Sequence, residues 1–570
     1  MRKFMREYDV VIVGGGIAGL RAALQVAKAG LSLVIISKVH PLRSHSVGAQ
    51  GGIAAALANV AQDSVEDHFF DTVKGSDYLG DQDAIEIITQ EAPSDIIELE
   101  HLGVLFSRLE NGKIFQRNFG GHKNARACYA ADKTGHAILH ELYAHLLKYK
   151  VIVYDEWYVT DLIVEQNIAK GVVAYSLLDG TLELFCAKAV MLATGAYGKC
   201  FSITSNDYSS TGDGLSLVIR AGIPLEDMEF VQFHPTGLYP VGLLVSEAAR
   251  GEGGQLFNNK KERFMKKYAP KMMELAPRDI ETRAIWSEIK AGRGIGDGNA
   301  VYLKLSHIPE QQLRERIPFI LDEAHRHLRI DATKDPLPVA PTAHYAMGGI
   351  PTNIQGEVFA NPTQIIQGLY AAGECACVSM HGANRLGCNS LLECVTMGRR
   401  TGNSMASFAQ QQKIQHPQKE YLEETAQLIQ KIKKRKGTYV LAQVRKELQQ
   451  NMTEHCGIIR DKKNMEKGLK KISELQKKWE NIALKDQGDV FNTNLQELLE
   501  LRSLLLVSEC ILRSALRREE SRGAHYRKDF KKRNDKTWLK HTLIRKDNNK
   551  FIFMDKPVVI TKYQPEERIY

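Results

Sequence analysis

The chain has 570 residues, 44% apolar and 25% charged, which is an ordinary soluble composition long enough for several domains and a large buried core. Its formal net charge of +9 reads as a solvated basic face or an acidic partner. No nucleic-acid signature accompanies that charge, and no apolar run reaches the ~18 residues a membrane-spanning helix needs.

In chain order, Tyr8 to Val13 reads as a buried parallel strand that begins almost at once, with no signal-peptide core before it. Gly14-Gly15-Gly16-Ile17-Ala18-Gly19 follows, then a helix to about Ala29 and a strand from Leu31 to Ile36, a βαβ unit. Strand signals return at Ala189 to Ala193, before Thr194-Gly195-Ala196, and at Gly368 to Ala372, before Gly373-Glu374. Segments so far apart join one sheet if a second unit is inserted between them, from about Met228 to about Ala340. That insertion is rich in Gly and Pro and carries helices such as Asp279 to Ile289. Beyond about Thr401 glycine becomes rare. Apolar residues fall at helical spacing in Tyr421–Ile432, Tyr439–Leu448, Met465–Trp479 and Leu495–Leu516, as in a helical bundle. The remaining C-terminal stretch is basic and irregular, with one apolar strand at Phe551 to Ile560.

Gly14, Gly16 and Gly19 form G-x-G-x-x-G between a strand and a helix. The first glycine makes the turn, the second admits a pyrophosphate, and the third lets helix and strand pack, with the helix N-terminus facing the phosphates. The second strand ends in Ser37-Lys38, not in the acidic residue that holds a nicotinamide nucleotide's ribose, which argues against NAD. His45 lies among Ser44, Ser46, Gly48, Ala49, Gly51 and Gly52, small enough to admit a flat ligand that Gln50 and backbone N–H groups reach at its edge. The nine cysteines contain no CxxC pair, so the sequence offers neither a zinc nor an iron–sulfur framework and no metal site is expected. Reduced thiols in a cytosolic compartment are the expectation.

These motifs resemble, in order and over nearly the whole chain, the flavoprotein subunits of succinate dehydrogenase and quinol:fumarate reductase. They are GGGIAGL, RSHSVGAQGGIA, DTVKGSDYLGDQDAIE, ATGAYG, TGDG, QFHPTGL, SEAARGEGG, HYAMGGI, GLYAAGE, HGANRLGCNSLLE and ESRGAHYRKD. The resemblance implies an α/β FAD-binding (Rossmann-like) domain with an inserted α+β capping domain, followed by a helical bundle domain and a small C-terminal region. The expected boundaries are 1–228 with 341–403 for FAD binding, 229–340 for the cap, 404–527 for the helices and 528–570 for the end.

By resemblance, His45 carries FAD covalently through the flavin 8α-methyl. Gly14, Gly15, Gly16, Ile17, Ala18, Gly19, Ser37, Lys38, Ser44, Ser46, Gln50, Gly51, Gly52, Asp213, Glu374, Ser390 and Leu391 complete the cofactor site. Asp213 and Glu374 suit acceptance of ribose or ribityl hydroxyls. His234, Ser246, Glu247, His344 and Arg385 are the implied C4-dicarboxylate residues; a dianion needs several convergent donors, and Arg supplies a bidentate clamp. Arg278 matches the family's proton donor and acceptor, with Glu247 and Arg250, three residues apart on one helical turn, passing the proton to and from solvent. An arginine pKa above ~12 makes that role workable only in a buried site.

Ser246 stands where the family usually has Thr, and Cys375 and Cys388 stand where small residues are expected near the flavin. The implied reaction is succinate oxidation to fumarate, with electrons passing to an iron–sulfur subunit and a membrane anchor that hold the chain on the cytoplasmic face of the inner membrane. The basic run Arg522–Arg527 is expected to help in that docking. Fumarate reduction by the same residues is the nearest alternative. L-Aspartate oxidase is opposed by His45, an NAD-dependent dehydrogenase by Ser37-Lys38, and a flavin module without substrate by the set His234, Glu247, Arg278, His344 and Arg385.

Overall fold

Val10-Val11-Ile12-Val13 presents apolar side chains to both faces, the pattern of a strand covered on both sides. In the computed structural model, which describes residues 3–418, 420–548 and 550–568, this run ends strand β1 (Lys3–Val13). All four residues are buried. β1 pairs in parallel with β2 (Leu33–Ile36), Val10 opposite Leu33. On its other side it pairs with Leu182–Leu192, Val13 opposite Leu192. Helix α1 (Ile17–Lys28) makes the crossover.

The sheet continues in parallel through Ile152–Tyr154 beside β2 and Gln364–Ala371 beside Leu182–Leu192, Ala371 opposite Leu192. The four distant strand signals thus lie in one sheet. An antiparallel hairpin, Trp157–Glu165 with Ile168–Ser176, extends it. The sequence reading lacked this hairpin. Its two turn residues, Gln166 and Asn167, both take φ near +50 to +64, a tight hairpin turn made without the usual glycine.

A second, antiparallel sheet orders Leu243–Leu244, Val231–Leu238, Leu337–Ala346, Val301–Lys304 and Gln255–Phe257. Its own apolar cluster includes Leu256, Ile285, Leu303, Leu313 and Val339. Helix Arg278–Glu288 packs on it, one residue from the expected start. The four expected C-terminal helices form as Glu420–Lys433, Leu441–His455, Lys462–Glu480 and Thr493–Arg517. Asp461 and Asn492 cap the last two by accepting backbone N–H groups. The buried residues Ile429, Leu448, Ile472 and Leu504 join the cluster under the main sheet.

The C-terminal end is more regular than its composition suggested. Lys540–Asp547 and Lys550–Pro557 form an antiparallel hairpin, and Leu225–Glu226 pairs with its first strand. The arginines of the run 522–527 do not face outward, contrary to a docking role. Arg522 binds Glu520 and the Asp77 carbonyl, and Arg527 binds Asp529 and three main-chain carbonyls. Arg518, just before them, pairs with Glu229 and Glu520 with no side-chain exposure. Among the described residues no helix is long and apolar enough to cross a membrane.

Replacing Arg518 by Ala strands Glu229 in the interior. The expected loss is about 3–5 kcal/mol, read as a lower Tm by calorimetry; an unchanged Tm contradicts the assignment.

Candidate active site

The β1–α1 turn accepts only glycine at two positions. A Cβ on Gly14 (φ +111°) would stand 2.2 Å from the Ala193 carbonyl oxygen, and one on Gly19 would stand 2.1 Å from that of Gly14. Gly15 packs on Pro41, whereas at Gly16 the nearest atom to an added Cβ is Ser46 Oγ at 3.3 Å. Ile17 N–H points to the same Ser46 Oγ, 3.3 Å away. The first turn of α1 has neither a side-chain cap nor an acidic residue, so its N-terminal field is open to a phosphate.

Beyond β2, Lys38 Nζ bonds Thr211 Oγ1 at 2.7 Å, Asp213 Oδ2 at 2.8 Å and Glu500 Oε1 at 2.9 Å. Burial opposes the ammonium, yet Asp213 and Glu500 outweigh it and raise the Lys38 pKa. Tyr158 donates to the other Asp213 oxygen. Burial works against the Asp213 carboxylate too, but Lys38 keeps its pKa low. Asp213 is thus ionised and already well bonded. Glu374 differs: burial pushes it up to about 8, against the one N–H it accepts, from Ala346. It is suited to donate as well as to accept near neutral pH.

His45 opens a short helical turn, His45–Gly48. Asp207 N–H reaches its Nδ1 at 3.4 Å, and Asn206 Nδ2 lies 3.2 Å from its Nε2. Burial lowers its pKa despite Asp207, so the imidazole is neutral. Arg117 donates to the carbonyls of Gln50 and Gly51 and fixes that loop. Gly52 needs φ +128°, and a Cβ there would meet the Cys128 carbonyl oxygen at 2.8 Å. Ser44 Oγ and Gln50 Oε1 are buried without partners among the described residues, as is Thr194 Oγ1 across the turn. Ser390 and Leu391 lie in the first turn of helix Asn389–Gln411. Gly14 through Gly19, the 44–52 loop, Lys38–Asp213 and Glu374 together offer a glycine cradle, free polar atoms and a helix N-terminus, a donor set that fits FAD.

His234 and His344 sit on neighbouring strands of the second sheet, their rings 5.1 Å apart. Thr236 N–H donates to His234 Nδ1 at 3.2 Å, so the proton of the neutral ring is on Nε2, which is buried without a partner. Burial, then Arg278 and His344, hold the His234 pKa well below its ordinary value. His344 is lowered likewise, by burial and then Arg278, and its Nδ1 lies 2.7 Å from Ser205 Oγ. Ser246 caps helix Glu247–Gly251; its Oγ accepts Ala248 N–H at 3.3 Å, leaving the hydroxyl proton to donate elsewhere.

Arg278 begins its helix with Nε 3.0 Å from Glu247 Oε2 and Nη1 2.9 Å from Gln232 Oε1. Glu247 also accepts Gly120 N–H; burial raises its pKa, but Arg278 and Arg250 more than reverse this. Arg250 Nη2 is 3.9 Å from Glu247, so the pair does share one side. Arg385 is only 3% exposed. Its Nη1 donates to Ser390 Oγ at 3.1 Å, its guanidinium lies 4.3 Å over the Tyr345 ring, and its Nε has no partner. No carboxylate of the described residues pairs with it. Burial, then Arg278, bring its pKa down to about 10. Arg278 and Arg385 line one small cavity with Gly120, Gly121, Pro277 and Gly387.

Several contributors escaped the sequence reading. Gln232 joins Arg278 to the Arg385 loop, donating to Asn384 Oδ1 at 3.0 Å and to the Arg385 carbonyl at 2.8 Å. It is the first residue of the QFHPTGL motif, so its position was a signal. Tyr345, in HYAMGGI, donates to Glu393, the last residue of HGANRLGCNSLLE, under Arg385; Glu500 reaches Lys38 from the helical region and had no local signal. Cys375 and Cys388 are buried and shifted up to about 11 and about 12 by that burial, which makes them inert thiols.

Residues 9–391 match the family model described as FAD binding domain, and residues 445–570 the one described as fumarate reductase flavoprotein C-term. The succinate dehydrogenase flavoprotein subunit of Rickettsia felis is 46% identical, over 98% of this chain and 96% of its own length. The fumarate reductase flavoprotein subunit of Mycobacterium tuberculosis is 41% identical over 99% of each chain. A chain of E. coli quinol fumarate reductase superposes with a TM-score of 0.94 at 40% identity, covering 100% of this chain and 99% of that one.

Proposed function

The chain belongs to the family of succinate dehydrogenase and fumarate reductase flavoprotein subunits, and we propose that it oxidises succinate to fumarate in the cavity between Arg278 and Arg385. It is an FAD-binding oxidoreductase acting on succinate and fumarate. The observation that carries the substrate assignment is Arg385: a buried guanidinium with no counter-carboxylate among the described residues, sharing a cavity with Arg278 and close to two neutral histidines. A buried cation left so is costly, and a dicarboxylate relieves the cost.

His234 donates from Nε2, Ser246 from its hydroxyl, and His344 and Arg385 complete the hold on the two carboxylates. Fixing both ends orients one C–H bond for loss as hydride and its neighbour for loss as a proton. Bound FAD supplies the two-electron acceptor. Arg278, fixed by Glu247 and Gln232, faces the same cavity and exchanges the proton, with Glu247 and Arg250 behind it. Burial of the cavity strengthens each of these charges and excludes water.

At His45, Nδ1 is engaged by Asp207 N–H, and Nε2, whose neighbour is the Asn206 amide at 3.2 Å, would be the nitrogen to bond the flavin 8α-methyl once that amide is displaced. Such a bond raises the flavin's reduction potential, as oxidation of an unactivated C–C bond requires. The proposed units are 1–228 with 341–403, 229–340, 404–527 and 528–570, although strand Leu337–Ala346 of the second sheet and helix Asn389–Gln411 run across two of these divisions. The sequence has no CxxC pair, so electrons leave to a separate iron–sulfur subunit, held with a membrane anchor at the cytoplasmic face of the inner membrane. Fumarate reduction, the second reading, is favoured by the likeness to E. coli quinol fumarate reductase and uses the same residues in reverse.

Arg385→Ala is expected to raise KM, lower kcat and reduce kcat/KM by about 100-fold or more in dye-coupled succinate oxidation. Unchanged constants would remove it from the clamp. Arg278→Lys should lower kcat by about 10²–10⁴-fold with FAD content intact; near-normal turnover defeats the proton assignment. After acid precipitation the flavin should stay with the polypeptide, and Arg117 and Asn206 cannot retain it in a His45→Ser variant. Free flavin from the unsubstituted chain refutes the covalent link.

A further inference from the structure

The contacts leading away from Arg278 do not end at solvent. Arg250 has no side-chain exposure. Its Nη1 donates to the Glu274 carbonyl at 2.7 Å and to the carboxylate of Glu281. Glu281 stands three residues after Arg278 on the same helix and is itself wholly buried, with Oε1 lacking any partner among the described residues. Arg278, Glu247, Arg250 and Glu281 therefore form one buried series, hydrogen-bonded at its two ends and joined in the middle by a 3.9 Å ion pair between Glu247 and Arg250, and closed by a carboxyl group whose Oε1 has no partner among the described residues.

We propose that Glu281 is the inner proton store of this relay, taking a proton from Arg250 during succinate oxidation and returning it during fumarate reduction. The proposal rests on the Arg278–Glu247–Arg250 relay proposed above. Glu281 takes a proton from Arg250, and Glu247 carries one from Arg278 to Arg250. Arg278 is then neutral and acts as the base, and the proton from the substrate carbon restores its charge. One proton has moved from substrate to Glu281, and only Glu281 has changed charge. This gives an arginine the means to act as a base: the cost of its deprotonation is offset by a buried carboxylate gaining a proton in the same chain.

The electrostatic surroundings suit a store. Burial pushes Glu281 up to about 8; Arg250 opposes this, while Glu247 and Glu274 support it and Arg278 opposes it. Arg250 and Glu247 come from helix Glu247–Gly251, and Glu274 from the Met273–Leu275 turn. His234 and His344 on the adjoining strands are neutral. On its own helix Asp279 and Arg283 pair with each other, and Glu288 pairs with Arg293 and Tyr268. Lys266 and Lys267 of the packed helix Met265–Tyr268 are exposed. A carboxyl so placed is protonated below pH 8 and ionised above it, and oxidation needs it ionised.

The test uses the FAD-loaded full chain. In dye-coupled succinate oxidation, kcat of the unsubstituted protein should rise through a limb centred near pH 8. Glu281→Gln keeps an acceptor for Arg250 but cannot gain a proton; kcat should fall about 10²-fold, the limb should vanish, and KM should hold. Glu281→Asp should restore the limb. Infrared difference spectra of the unsubstituted protein minus Glu281→Gln, read without turnover, should show a protonated-carboxyl C=O band that titrates near pH 8, separate from that of Glu374, which titrates in the same range in both proteins. A Glu281→Gln profile superimposable on the unsubstituted one, or no such band, overturns the proposal. If Arg278→Lys is inactive while Glu281→Gln is normal, the store alone fails; if Arg278→Lys is active, the relay itself fails.

Discussion

Two guanidinium groups, Arg278 and Arg385, line one buried cavity, and of the two only Arg278 has a carboxylate partner among the described residues. Like charges so close in a low dielectric repel, and each has left water to be there. The surrounding structure is built to hold them. Gln232 accepts from Arg278 with one end of its amide and ties down the Arg385 loop with the other. The Tyr345 ring lies under Arg385, itself fixed by Glu393. Glu247 answers Arg278 and is in turn held by Gly120 N–H, at a glycine where any Cβ would collide with the Glu247 carboxylate. The remaining positive charge is what the proposed function assigns to holding a dianion.

The fold brings these groups together by joining remote segments. Two strands of the second sheet supply His234 and His344, the helices beside it supply Ser246, Glu247, Arg250 and Arg278, and the loop after strand Gln364–Ala371 supplies Arg385. The β1–α1 turn, closed by Gly14 and Gly19, lies at the carboxyl end of strand β1, where open α/β sheets bind ligands. The helical region contributes more than bulk: Glu500 completes the Lys38–Asp213 pair. The C-terminal arginines also act inward. Arg568 bridges Asp77 of the sheet-bearing unit to Asp279, the neighbour of Arg278. Seating of the cap helix is thereby coupled to the end of the chain.

Much of this was legible in the sequence where the signal was local. Apolar runs marked β1, β2 and the strands at 189–193 and 368–372, and amphipathic spacing marked the four C-terminal helices within a few residues. The two arginines of the cavity, and His234 and His344 near them, were legible through motifs that carry their neighbours with them. What was hidden depends on contacts between distant segments. The hairpin at 157–176 turns on Gln166-Asn167, residues that do not announce a turn. Arg522 and Arg527 read as exposed charge because nothing local shows that carbonyls and carboxylates await them inside. Glu281 read as one more helix residue; its significance comes from Arg250, which reaches it from another helix.

The account stands on the claim that the cavity between Arg278 and Arg385 converts a C4-dicarboxylate. The most direct measurement is turnover of the FAD-loaded full chain with succinate and an oxidising dye, set beside fumarate with a reduced dye. The account predicts saturable turnover in both directions, competitively inhibited by a non-reacting dicarboxylate. A flavin-loaded chain that turns over neither substrate would contradict it and leave a flavin-binding module in its place.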